Sequence, residues 1–238
     1  MALVEWQLDG TVAVVTLNDG ENRFNPDFLS AFSEALDRVE ADTPASALVV
    51  RSAHEKIFCN GIDLDWLVPQ IQGNRLDTCK AYFYQLNGVF KRLVTYPLPA
   101  IAAINGHAFA GGAILACAFD FRFMQTGRGF FCFPEVDLGI PFLPGMNALL
   151  CKAMPRYMVE TMQYTGIRLT AEQCAAHHII RQACPPEMLM AEALDFARNL
   201  TKKRRVMAEL KKRLNHEVIQ AIDVEDVPYI ESGQFHIG

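Results

Sequence analysis

The chain has 238 residues, 51% of them hydrophobic and 21% charged, enough to bury the core of one large domain or two small ones. Its net charge of −5 gives no basis for a nucleic-acid surface. The most apolar stretch, 97–123, is interrupted at Asn105, Gly106 and His107, so neither half approaches the ~20 residues that span a bilayer.

Seven cysteines sit singly among apolar residues, an odd number with no CxxC pair, and read as buried thiols in a reducing compartment. Met1 to Trp6 lacks the basic start and apolar run of a signal peptide, and Phe235-His236-Ile237-Gly238 is not a Ser-Lys-Leu ending. The expected location is therefore cytoplasmic, with the peroxisome as the alternative.

In chain order, residues 4–8 and 11–17 predict a hairpin turning at Asp9-Gly10. Asn25-Pro26 starts a helix, Asn as cap and Pro at the first helical position. Phe28, Leu29, Phe32, Leu36 and Val39 recur through it at helical spacing. Residues 47–50 predict a strand buried on both faces. Residues 77–95 form a second long helix with a stripe of Leu86, Val89, Phe90, Leu93 and Val94.

Residues 99–104 are another buried strand, and 111–118 a short helix apolar all round. Residues 119–124 and 130–133 predict strands joined at Gly127-Arg128-Gly129. From Gly145 onward the pattern is helical, over 156–165, 171–177, 187–200 and 205–222, with breaks at Gly166 and Pro185-Pro186. The pattern predicts an α/β core with a helical C-terminal part. The core is assigned to residues 1–190 and the helical segment to 191–238 of the same domain, since no Ser/Gly linker separates them.

Three segments carry chemistry through backbone geometry. In Phe58-Cys59-Asn60-Gly61-Ile62-Asp63-Leu64, Gly61 permits a sharp turn that leaves the Ile62 N–H free to meet a ligand, although an ordinary loop also accounts for it. In Ile104-Asn105-Gly106-His107-Ala108-Phe109-Ala110-Gly111-Gly112-Ala113, a buried strand runs into two glycines that open a helix. Its unsatisfied N–H groups suit an oxyanion, and close packing is the competing explanation. In Phe133-Pro134-Glu135-Val136-Asp137-Leu138-Gly139-Ile140-Pro141, Glu135 stands among apolar residues that raise a carboxylate's pKa toward that of a base active near neutral pH. A carboxylate at the surface edge of a turn is the alternative.

In their order, spacing and flanking strands, these segments resemble the crotonase (enoyl-CoA hydratase/isomerase) superfamily from Val4 to about Ala197. The resemblance implies a spiral of repeated ββα units, usually assembled as homotrimers or dimers of trimers, with C-terminal helices that help close an acyl-CoA site. It implies that Glu135 is the catalytic base and that the N–H groups of Ile62 and Gly111 are the oxyanion donors. Asn60, Gly61, Asp63, Leu64, Gly112, Ile114 and Phe142 are the expected substrate-binding positions. No metal and no resident cofactor are implied, coenzyme A being part of the substrate.

Hydratases of this family carry one Glu in the helix after the Gly-Gly segment and another in the Pro-Glu segment. Here the first position is Ile114, which can neither orient water nor exchange a proton, whereas Glu135 keeps the second. The pattern is similar to Δ3,Δ2-enoyl-CoA isomerases of fatty-acid β-oxidation, which shift a β,γ double bond to α,β. Ile140, Phe142, Leu143 and Met146 are candidates for the acyl pocket wall, and core packing explains them equally well.

Asp137 competes as base, because an extended backbone would put it on the same face as Glu135. His107 reads as structural, and His177 and His178 have no identifiable partner. The basic runs 202–205 and 211–213 suit either coenzyme A phosphates or a solvated helix face. Another crotonase-fold reaction (hydratase, hydrolase or decarboxylase) and a non-catalytic acyl-CoA-binding protein are the alternative functions.

Overall fold

The computed structural model describes residues 2–235. Met1 and His236 to Gly238, on which the readings of the chain ends partly rest, lie outside the described residues.

The eleven strands are β1 (Val4–Asp9), β2 (Val12–Leu17), β3 (Arg23–Phe24), β4 (Ala47–Ser52), β5 (Ile57–Cys59), β6 (Gly61–Ile62), β7 (Ala100–Ile104), β8 (His107–Phe109), β9 (Phe121–Gln125), β10 (Phe131–Cys132) and β11 (Gln182–Cys184). Helices in the first half are α1 (Pro26–Asp42), α2 (Leu64–Gln72), α3 (Leu76–Val94) and α4 (Gly111–Ala118). The second half holds α5 (Glu135–Leu138), α6 (Pro144–Ala153), α7 (Arg156–Thr165), α8 (Ala171–Ala176), α9 (Leu189–Arg198), α10 (Arg204–Leu214), α11 (His216–Gln220) and α12 (Asp226–Ser232), with a π-helical turn at Ala221–Glu225.

The large sheet runs β1-β2-β4-β7-β9-β11, antiparallel at the first pair and parallel thereafter. A smaller parallel sheet runs β10-β8-β5, and β3 pairs with β6. Three successive turns of chain therefore repeat one unit. A strand enters the large sheet (β4, β7, β9), the next enters the small sheet (β5, β8, β10), and a helix follows. This repeat is the spiral of ββα units that the resemblance implies.

Burial on both faces explains the continuous apolar runs. Val12, Ala47, Val49, Ile101, Ala103 and Phe123 face α9, which contributes Leu189, Ala193 and Ala197. The alternate residues Ala13, Val15, Leu48, Val50, Ala102, Ile104 and Met124 face the main core. On α1, Asn25 accepts from Phe28 N at 2.9 Å, and Phe28, Leu29, Phe32, Leu36 and Val39 are buried.

Several local expectations change. The strands on either side of Gly127-Arg128-Gly129 belong to different sheets, because β9 pairs with β7 and β10 with β8. The segment 205–222 is broken at Asn215, whose amide donates to Val94 O at 2.8 Å. α2 carries Pro69 inside it and gave no clear helical signal, and β11 is a three-residue strand in the otherwise helical half. α9 straddles residue 190 and covers the sheet. Six of the seven free cysteines are buried, and Cys151 is exposed at the end of α6.

No described helix is long and apolar enough to cross a membrane, and no group of three metal-ligating side chains lies together among the described residues.

The interruption at Asn105-Gly106-His107 is where the chain passes from the large sheet to the small one. His107 N donates to Lys56 O at 2.8 Å, and a Cβ on Gly106 would lie 2.1 Å from that same carbonyl oxygen. Gly106→Ala is expected to lower unfolding free energy by about 3 kcal/mol, the upper end of overpacking costs. Urea denaturation with an unchanged m-value checks this, and wild-type stability would show that the crossover relaxes freely.

Candidate active site

One cavity of about 600 Å³ opens where the small sheet, α4 and the C-terminal helices meet. Its apolar wall includes Leu64, Leu67, Phe109, Ile114, Ile140, Phe142, Leu143 and Met146. Glu21, Arg23 and Asn60 supply polar wall positions. Arg23 is held by Glu21 at 3.4 Å, Asp63 at 3.3 Å and Asp65 at 2.7 Å.

Two backbone turns touch at this cavity. Gly61 has φ of +78°, and a Cβ there would fall 2.4 Å from Gly111 N; in the other direction, a Cβ on Gly111 would lie 3.2 Å from Ile62 N. Only glycine fits at Gly61 on both counts. Asp63 N donates to Phe24 O across the β3–β6 pair at 3.0 Å. Alternate N–H groups of a strand point to opposite edges, so the Ile62 N–H points away from β3.

Gly111 is the first residue of α4, where the N–H has no intrahelical acceptor and the helix carries its partial positive charge. The preceding Ala110 is held at φ +50°, an unfavourable conformation for a residue with a Cβ. It is pinned by Ala110 N to Cys132 O at 3.0 Å and by the Ala113 and Ile114 N–H groups on its own carbonyl. The turn into α4 is thus fixed by the small sheet on one side and by the helix on the other.

Glu135 opens the four-residue α5 after Pro134 and lines the same cavity. It is 6% exposed, and its Oε2 has no hydrogen-bond partner among the described residues. Burial pushes its carboxyl up to about 7, opposed only by its own backbone N–H. Asp137 does not share its face. α5 is a helical turn, so residues two apart point to nearly opposite sides, and Asp137 is exposed, with Oδ2 beside Gly166 after α7.

Of the expected binding positions, Asn60, Ile62, Leu64, Gly111, Ile114, Glu135 and Phe142 lie on the cavity wall. Gly61, Asp63 and Gly112 lie behind it. Gly61 is buried against Gly111, Asp63 pairs with Arg23, and Gly112 is pressed to Cys59, where a Cβ would meet the carbonyl oxygen at 2.0 Å. These three shape the site without lining it.

No sequence signal pointed to Arg23, Leu67, Phe83, Tyr229, Ser232 or Phe235, all of which line the cavity. Side chains of α3 hold the C-terminal segment there. Lys80 and Tyr84 reach Glu231 at 2.9 and 2.8 Å, Asn87 reaches buried Asp226 at 2.8 Å, and Lys91 reaches Asp223 at 2.6 Å. The spacing of 80, 84, 87 and 91 on one helix face was visible in the sequence, but its partners were not.

The basic runs divide. Arg204 forks onto the carbonyls of Glu40, Thr43 and Ala45, closing the end of α1, and Lys211 is buried against Asp120 at 2.7 Å and Leu98 O at 3.1 Å. Lys202, Lys203, Arg205, Lys212 and Arg213 are exposed. His107 packs against Phe109 and Phe130, and its pKa is lowered by burial and by Arg168. His177 does have a partner, the Tyr157 hydroxyl, at 3.1 Å.

Residues 7–231 match the model of the enoyl-CoA hydratase/isomerase family. An enoyl-CoA delta isomerase 3 from Arabidopsis thaliana is 27% identical over 90% of this chain and 93% of its own length. A short-chain-enoyl-CoA hydratase from Clostridium acetobutylicum is 28% identical over 95% of this chain and 85% of its own. A crystal structure of an enoyl-CoA hydratase/isomerase family protein from Pseudomonas syringae superposes with a TM-score of 0.86 at 25% identity, covering 96% of this chain and 97% of that one. The match along residues 7–231, on a ββα spiral with a backbone cradle beside a buried carboxylate whose Oε2 has no partner among the described residues, shows that this chain belongs to the enoyl-CoA hydratase/isomerase family of acyl-CoA enzymes.

Proposed function

We propose that this enzyme moves the double bond of a 3-enoyl-CoA to give the 2-enoyl-CoA, as a step of fatty-acid β-oxidation. The observation that carries this is the environment of Glu135. It is a buried carboxylate that shares the cavity wall with Ile114 of α4, 1% exposed, at the position where the resemblance implies that hydratases carry a second Glu.

In this scheme the thioester carbonyl accepts from the Ile62 and Gly111 N–H groups. Glu135 removes a proton from C2, and the electron pair of that C–H bond passes to the carbonyl oxygen as an extended enolate. Reprotonation at C4 by the same carboxyl re-forms the carbonyl and leaves the double bond between C2 and C3. One proton leaves and one returns, with no water consumed and no net redox change. Backbone donors of this kind are each worth about 2.7–4 kcal/mol, and a positioned base about 10²–10⁴-fold. The chemistry drawn on is that of the protein and of the thioester itself, without a resident cofactor.

Assembly into homotrimers or dimers of trimers is proposed with it. It would cover Val136, Leu138, Tyr164 and Ile167, which are 48%, 41%, 71% and 41% exposed on α5, α7 and the turn after α7. Light scattering after gel filtration is expected to give three or six times the 26.6 kDa chain mass; a monomer removes this part.

With 3-hexenoyl-CoA the purified protein is expected to accumulate 2-hexenoyl-CoA, and with 2-hexenoyl-CoA to form little 3-hydroxyacyl-CoA. Fast hydration of the 2-enoyl thioester would overturn the inference from Ile114. No change in either substrate moves the chemistry to another acyl-CoA reaction. Glu135→Gln is expected to lose about 10²–10⁴-fold in kcat while still binding acyl-CoA, and turnover equal to wild type removes Glu135 from the mechanism.

The base must be ionised, and burial holds its pKa at about 7. kcat/KM should therefore climb as pH rises from 5 through 7 and level off above it. A profile already flat from pH 5 would show that no such group gates the reaction.

A further inference from the structure

Beneath α4, at the end remote from Gly111, lies a cluster of buried charge that the scheme above does not use. Arg122, on β9, donates to Ile179 O at 2.7 Å, Phe119 O at 3.0 Å, and Ala116 O and Ala153 O at 3.3 Å. Lys152, on α6, donates to Phe119 O at 2.9 Å and Cys117 O at 3.3 Å. The carbonyls of Ala116, Cys117 and Phe119 are the last turn and cap of α4. Asp120, the carboxylate of this cluster, is engaged by buried Lys211 at 2.7 Å and by Ala100 N at 2.8 Å. Three cations thus share one carboxylate, with a net charge of about +2 when all are ionised. Burial and the neighbouring Arg122 push Lys152 down to about 8, which leaves it largely protonated at pH 7.

Cations on a helix C-terminus stabilise it by bonding its last carbonyls and meeting the negative end of its dipole. Closing a helix end needs hydrogen-bond donors, which uncharged groups can supply, whereas a buried cation without its own counter-ion carries a desolvation cost. The electrostatics of α4 supply a further reason. The helix is eight residues long, about 12 Å at ~1.5 Å per residue. Its positive end faces the thioester, and its negative end, so close behind, works against the same oxyanion. Cations seated on that negative end cancel the opposing half-charge and add attraction of their own through a low-dielectric core.

We propose that Arg122 and Lys152 are positioning residues for catalysis, acting through α4 to strengthen the oxyanion site at Gly111 from its far end. This rests on the placement of the thioester oxygen under the proposed function. At an effective dielectric near 20 and a separation of roughly 15 Å, each charge contributes about three- to tenfold in rate.

The test reads the field at the carbonyl directly. 2-Hexenoyl-CoA labelled with ¹³C at the thioester carbonyl is bound to the Glu135→Gln protein, and its carbonyl stretch is followed by infrared difference spectroscopy. Binding to this parent is expected to lower the stretching frequency. Adding Arg122→Met or Lys152→Met should shrink that shift, and Arg122→Lys should retain most of it. In the Glu135 background the neutral variants should lose about three- to tenfold in kcat on 3-hexenoyl-CoA with KM nearly unchanged.

Folded neutral variants that keep the full shift would overturn the proposal, and so would a parent that produces no shift. Should Arg122→Met fail to fold, Lys152→Met, whose side chain is partly exposed, decides by the same readout. A protein that shows the charge-dependent shift yet does not isomerise 3-hexenoyl-CoA removes the proposed reaction and leaves this inference standing.

Discussion

The constraint on which the site depends is the contact between two pieces of main chain, the turn at Gly61 and the start of α4 at Gly111. A Cβ on the first would sit 2.4 Å from the nitrogen of the second. Backbones can approach this closely only where side chains are absent and where each strand is held from behind. Asn22 provides part of that support, its amide donating to Ser52 Oγ at 2.8 Å and Phe58 O at 2.9 Å beside the Gly61 turn. The Cys59 thiol adds another tie, to Asn22 O at 3.0 Å. The ββα spiral serves this contact because the small sheet places β5 beside β8, the strands that precede the two turns. Donors held by the main chain need no rearrangement when charge appears, the condition under which they are most effective.

Desolvation acts with opposite consequences on the two sides of α4. At Glu135 it disfavours the carboxylate and brings a weak acid into the range of a neutral-pH base. At the far end of the helix it disfavours the cations, and the carbonyls of the last turn compensate in part. Both effects depend on the dense packing around a helix whose eight residues are all buried. A looser core would admit water, return Glu135 toward an ordinary carboxylate, and screen any field carried along α4.

The C-terminal segment contributes differently. Tyr229, Ser232 and Phe235 complete the cavity, yet the π-helical turn and α12 are tied to α3 largely by polar contacts, those of Lys80, Tyr84 and Lys91 with the exposed Glu231 and Asp223, around the buried Asp226. Asp226 also accepts from Gly145 N at 2.7 Å and so joins α12 to α6, whose Met146 lines the pocket. Burial raises its carboxyl to about 6. Two walls of the cavity therefore share one buried side chain, and the shape of the acyl site depends on a contact made 81 residues apart in sequence.

Much of the core was legible because its signals are local. Continuous apolar runs identified β4 and β7, the Asp9-Gly10 turn the β1–β2 hairpin, and period-3.6 apolar patterns α1 and α3, while the Asn25-Pro26 cap marked the start of α1. Glu135, Gly61 and Gly111 stood out through their local sequence, a carboxylate among apolar residues and glycines at turns, although the Gly61–Gly111 contact itself joins segments distant in sequence. By itself the sequence marked Gly61 and Gly111 as candidate turn glycines, set Glu135 among apolar neighbours, and placed Ile114 where the resemblance implies that hydratases carry a second Glu. Tertiary structure alone decided that Asp137 faces away, since a helical turn and an extended strand aim the same residue in opposite directions. It also decided that Arg204 and Lys211 face carbonyls, that Arg23 and Phe235 line the cavity, and that Arg122 and Lys152 sit behind α4. Those placements depend on contacts between distant segments, and a charge carries no mark in the sequence of which partner the fold will bring to it.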